Sequence, residues 1–181
     1  SNITVTAYPN QNWIFTNWTG NLTGSSNPGN LIMNSPKTVT AHFIQQGFEM
    51  QADLQEQSVI LEEGTQVETE VVIHVNSIGG FTDLVNLSVS ISPQTEKIIT
   101  ELNPSTVTPT GDSILSFNIS GDTKPDTYIV TITGTSGSKV QSTQILLVGK
   151  TKVYIPREVY SNTATDTIIE VPVMISNANG L

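Results

Sequence analysis

The chain has 181 residues, with 16 acidic and 7 basic side chains, a formal charge of −9 and no cysteine. That balance excludes a nucleic-acid partner, because a phosphate backbone needs clustered Lys and Arg. The missing thiols exclude cysteine catalysis, Cys-ligated zinc and disulfide staples. No apolar run approaches the ~18 residues of a membrane-spanning helix, so no membrane insertion is expected in this segment.

Ser and Thr are abundant while Ala, Leu, Lys and Arg are scarce, and Val, Ile and Thr favour strands over helices. An all-β chain is expected. The first alternating run is Ile3-Thr4-Val5-Thr6-Ala7, the pattern of a half-buried strand. Asn10-Gln11-Asn12 reads as a turn, and Trp13-Ile14-Phe15-Thr16-Asn17-Trp18 supplies aromatic bulk. A loop rich in Gly, Ser, Asn and Pro is expected from Thr19 to Asn30, and Lys37 to Phe43 is a second alternating strand. Val5-Thr6-Ala7, Pro9, Phe15, a Trp18-Thr19-Gly20 turn, Asn27-Pro28, Met33 and the closing Val39 to Phe43 together resemble the internalin-type B-repeat. That family is a small β-grasp-like module of bacterial and archaeal surface proteins. The resemblance implies that Phe15 and Trp18 are core, as their bulk also suggests. The family's module opens with a further hairpin ahead of these residues, so the module is expected to be cut at its N-terminus.

From about Phe48 to Val148 the alternation predicts a β-sandwich. Val67, Thr69, Val71, Ile73 and Val75 share one face, opposite Glu68, Glu70, Val72 and His74. Val85, Leu87, Val89 and Ile91 form the next inward set, followed by Leu115-Phe117-Ile119, by Tyr128-Val130-Ile132, and by a strand near Gln144 to Val148. Glu63-Gly64, Gly79-Gly80, Ser92-Pro93, Pro109 to Asp112, Lys124-Pro125-Asp126 and Ser136-Gly137 punctuate them as turns. The runs from Asn103 to Ser120 and from Lys124 to Gly137 resemble immunoglobulin-like domains of bacterial and archaeal envelope proteins. Tyr128 stands where a tyrosine corner would lie.

Beyond Lys152, Val153, Ile155, Ile169, Val171, Val173 and Ile175 alternate as strands, with Pro172 pointing to a sheet edge. This stretch is similar to the opening strands of a cohesin-like jelly roll, and is too short to fold alone. The expected architecture is therefore an immunoglobulin-like β-sandwich (47–150) flanked by an N-terminally truncated B-repeat-like module (1–46) and a partial cohesin-like segment (151–181).

Chemistry is sparse. His42 and His74 lack a second histidine or a paired carboxylate at ligand spacing, and no nucleophile-elbow motif is present, so no enzyme is expected. Asp83, Asp112, Asp122 and Asp126 fall in predicted loops at the sandwich ends, where calcium is the one cofactor their oxygens would suit. Turn residues are the plainer reading of all four. Asn-x-Ser/Thr sequons occur at Asn2, Asn17, Asn21, Asn86 and Asn118, of which Asn21, Asn86 and Asn118 are the better glycosylation candidates because they read as loop or outward positions. Lys97 and Lys152 are the lysines considered for an isopeptide cross-link, and no motif singles out a partner for either. Trp13 and Tyr8 are candidate carbohydrate contacts, free of the core role that the resemblance gives Phe15 and Trp18. The expected setting is extracellular or cell-surface, in an adhesin, envelope or filament protein. Expected partners are other copies or neighbouring domains of the same protein, joined by strand addition at the cut ends, or carbohydrate.

Overall fold

A computed structural model describes residues 1–154 and 174–175. Among them the protein is all-β, as the composition predicts. The chain begins with two small sheets. Strand β1 (Asn2–Val5) pairs antiparallel with β3 (Gly29–Ile32), and β2 (Trp13–Gly20) with β4 (Val39–Gln45).

Two expectations for this stretch need correction. The segment from Thr19 to Asn30 is not wholly loop, because β3 starts at Gly29 behind the Asn27-Pro28 bond. Trp18-Thr19-Gly20 is not a turn but the end of β2, where Gly20 adopts a φ of 94° and the carbonyl of Thr38 lies 2.5 Å from where a β-carbon would sit. Only glycine fits there. A bulge between Phe15 and Asn17 shifts the register of β2 against β4. Strict alternation would send Phe15 and Trp18 to opposite faces. The extra residue brings them together, with ring centroids 4.9 Å apart.

Nine strands follow: β5 (Gly47–Ala52), β6 (Glu56–Leu61), β7 (Gln66–Ile78), β8 (Val85–Ser92), β9 (Ile98–Asn103), β10 (Thr106–Val107), β11 (Gly111–Ser120), β12 (Thr127–Ser136) and β13 (Lys139–Thr151). They form two sheets, β5-β7-β11-β9 and β10-β8-β12-β13-β6. The inner faces carry the alternating apolar sets. Val71, Ile73, Leu115, Phe117, Ile119, Val130, Ile132, Ile145 and Leu147 are buried in one core, and Phe48, Val75, Phe81, Val85, Leu87 and Val107 in a second cluster beside it. Each fully buried aliphatic or aromatic side chain contributes ~1.5–3 kcal/mol. This is a β-sandwich, a sheet of four strands facing a sheet of five. Its last strand but one, β12, carries the expected corner, since the Tyr128 hydroxyl donates to the carbonyl of Lys124 at 2.9 Å.

The chain changes sheets between β5 and β6. Where β5 leaves β7, Asp53 takes over as a neighbour to Val72. Its amide donates to the Val72 carbonyl at 3.0 Å, and its carboxylate accepts from the Val72 amide at 3.1 Å. β6 then runs parallel to β13, from Glu56 opposite Leu146 to Leu61 opposite Thr151. A final pair, β14 (Val153–Tyr154) with β15 (Met174–Ile175), is antiparallel. The expectations for Ile155, Ile169, Val171, Pro172 and Val173 lie outside the described residues.

Candidate functional site: an aromatic groove on the N-terminal sheets

The aromatic residues near the N-terminus form a graded series from buried to exposed. Trp18 is the inner end, 4 % exposed, with its indole N–H donating to the Ser26 carbonyl at 2.9 Å. Phe15 lies on Trp18, and Phe43 meets Phe15 edge-on at 6.0 Å, because the two face one another across β2 and β4. Past Phe43 the surface opens into a groove of about 250 Å³ lined by Tyr8, Pro9, Asn10, Trp13 and Phe43. Tyr8 is 83 % exposed there and Trp13 41 %.

The backbone fixes these side chains from both ends. The carboxamide of Asn27 closes on Ala7 like an adjacent strand, accepting from its amide at 2.9 Å and donating to its carbonyl at 2.8 Å. Ala7 is buried, so the next residue, Tyr8, leaves the surface at a set point. Pro9 then limits the backbone that leads into the turn. The Trp13 amide donates to the Asn10 carbonyl at 3.0 Å, Asn12 sits at a φ of 63°, and the Gln46 amide donates to the Asn12 carbonyl at 2.8 Å. Asparagine tolerates that left-handed conformation better than most residues. Thus Tyr8 and Trp13, the two residues singled out as carbohydrate contacts, are brought to one groove. Phe43, read only as part of a strand, is its third ring, and no local pattern marks it.

The remaining candidates are placed as follows. His74 is not without a carboxylate: its Nδ1 lies 2.7 Å from Asp112 Oδ1, because register sets them opposite one another on β7 and β11. His42 meets the Thr19 hydroxyl at 2.7 Å. The four aspartates do not converge. Asp112 lies within β11 rather than in a loop, at the same end as the β7–β8 connection that holds Asp83, while Asp122 and Asp126 lie beyond the opposite end of β11. Asp122 accepts from the Gly64 amide at 3.1 Å and Asp126 from the Thr127 amide at 2.8 Å, which is turn chemistry. Among the described residues no group of three or more His, Asp or Glu is arranged to hold a metal ion.

Asn21 and Asn86 are exposed, and Asn118 is half-buried on the outer face of β11. The carboxamide oxygen of Asn21 already accepts from the Thr38 amide at 2.9 Å. Asn118 lies in a second shallow groove, about 340 Å³, with Glu68, Glu70, Glu101 and Ser116, whose hydroxyl donates to Glu70 at 3.1 Å. Lys97 donates to the Asp122 carbonyl at 3.0 Å and Lys152 reaches Glu62 at 3.1 Å. Burial holds the Tyr128 hydroxyl above its ordinary pKa, and the Asp126 carboxylate adds to that shift.

Residues 1–47 match the family model of the divergent InlB B-repeat domain, which covers about a quarter of the chain. No curated protein matches. Solved structures that match include one described as a family 123 glycoside hydrolase from Clostridium perfringens, in a study of glycolipid glycan hydrolysis. It shares 13 % identity over 57 % of this chain and 27 % of its own length, with a TM-score of 0.35. This chain therefore spans about a quarter of that protein. The identity that stands is that of the N-terminal stretch: residues 1–47 are similar to divergent InlB B-repeats.

Proposed function

We propose that this chain is a non-enzymatic structural and assembly module of a bacterial or archaeal surface protein, an adhesin, envelope or filament component. Its units are a B-repeat-like module at 1–46, a sandwich at 47–150 and a further β segment from 151. The B-repeat match carries this reading, because the module it identifies runs into a sandwich with only Gln46 between β4 and β5. That continuity is what a string of surface domains requires. Assembly by strand addition is supported by the open edges: among the described residues, β1 and β3 pair as strands only with each other, and so do β2 and β4, apart from a single bridge from Trp18 to Gly24.

Sedimentation velocity on the full chain and on a variant lacking residues 152–181 tests the assembly. The full chain is expected to form larger species than the shortened one. Equal sizes overturn strand exchange through the tail.

A second reading, recognition of carbohydrate or of a partner domain, is favoured by one observation. Exposed Tyr8 and Trp13 share a groove with Phe43 instead of being scattered over the surface.

A further inference from the structure

We infer that the groove between Tyr8 and Trp13 is a subsite for one neutral sugar ring of a surface polysaccharide; this rests on the binding reading and gives it a ligand class. The first 48 residues contain no Asp or Glu and a single Lys, Lys37, so every acidic side chain of a chain with charge −9 lies beyond them. None of the residues lining the groove is charged, so the lining offers no counter-ion to a charged ligand. One carboxamide, that of Asn10, lines the groove, and a second, on exposed Gln45, stands opposite Trp13 in the register of β2 with β4.

A pyranose ring has the complementary chemistry. One of its faces presents C–H groups, which the electron-rich face of an aromatic ring attracts. Its rim carries hydroxyls that both donate and accept, and a carboxamide does the same. Hydroxyls left unpaired against a purely apolar wall would lose their hydration without return. The size fits one ring of a longer chain lying across the surface, because about 250 Å³ is less than the ~300–1,000 Å³ of pockets that enclose a drug-sized ligand. A proline-rich segment would fill the rings and leave the carboxamides idle.

The test is isothermal titration of the full chain with three neutral hexasaccharides (cellohexaose, mannohexaose and N,N′-acetylated chitohexaose), alongside heparin and a decaproline peptide. At least one neutral hexasaccharide is expected to bind, and Trp13→Ala and Tyr8→Ala are each expected to weaken it about tenfold. Tyr8 is almost fully exposed, so its variant remains informative should Trp13→Ala disturb the sheet; emission from the buried Trp18 reports the fold of both. Binding that ignores both substitutions overturns the groove as the site. Binding of heparin or decaproline in place of the neutral sugars overturns the ligand class but keeps the binding reading. No binding by any of the five overturns both.

Discussion

At the scale of single residues, the protein repeatedly lets a side chain stand in for a missing strand. The Asn27 carboxamide does so for both the amide and the carbonyl of Ala7, and the Asp53 carboxylate for the Val72 amide, while the Asp53 backbone amide still serves the Val72 carbonyl where the strand turns away. Asn27→Ala removes two side-chain hydrogen bonds and is expected to destabilise the N-terminal sheets by ~1–2 kcal/mol. The Ala7 amide should then lose its protection in hydrogen exchange while amides of β12 keep theirs. Tyr128→Phe removes one bond at the corner and is expected to cost ~1 kcal/mol, read from the midpoint of urea unfolding. The same residue carries a pH signature. Because its folded pKa is raised, the unfolded chain ionises Tyr128 first as pH climbs past the ordinary tyrosine value of about 10. Its contribution is complete below that value and is lost as pH rises through the folded pKa. The alkaline decline in stability should therefore be shallower in Tyr128→Phe than in the parent.

At the scale of elements, β12 carries a glycine where side chains of β5, in the facing sheet, and of the neighbouring β8 crowd its backbone. A β-carbon at Gly134 would lie 2.5 Å from the Met50 sulfur and 2.9 Å from a Val85 methyl. Gly134→Val is expected to destabilise the sandwich by ~1–3 kcal/mol in chemical denaturation. The inward faces of β7, β8, β11 and β12 could be read from alternation alone, because each faces a core on one side and water on the other. Other elements were less legible for definite reasons. In β9, Ile99 points outward and is well exposed, so Ile98-Ile99 masks the period of two. β5 and β6 alternate as well, with Phe48, Met50 and Ala52 and then Gln57, Val59 and Leu61 on one side. The groove was half legible. Tyr8 and Trp13 stand out as aromatics beside turn residues, but Phe43 joins them only through the pairing of β2 with β4. The His74–Asp112 pair is likewise a product of register, between residues 38 apart in sequence.

At the scale of the whole molecule, Gln46 ties the small sheets to the sandwich. Its amide bonds to Asn12, its carboxamide donates to the Gly79 carbonyl at 2.9 Å, and a β-carbon at Gly79 would lie 3.4 Å from the Ile14 side chain. A single residue with contacts on both sides is a short, stiff link. The pairing of β6 with β13 has a mechanical consequence for a chain joined this way. These strands are parallel and stand near the entry and the exit of the sandwich, so tension between its two ends slides one along the other. Their hydrogen bonds, spread from Glu56–Leu146 to Leu61–Thr151, then share the load and must yield together rather than peel apart in turn. In single-molecule pulling, Val59→Pro, which removes one amide from the β6 strand, should lower the rupture force of the sandwich more than Tyr128→Phe does.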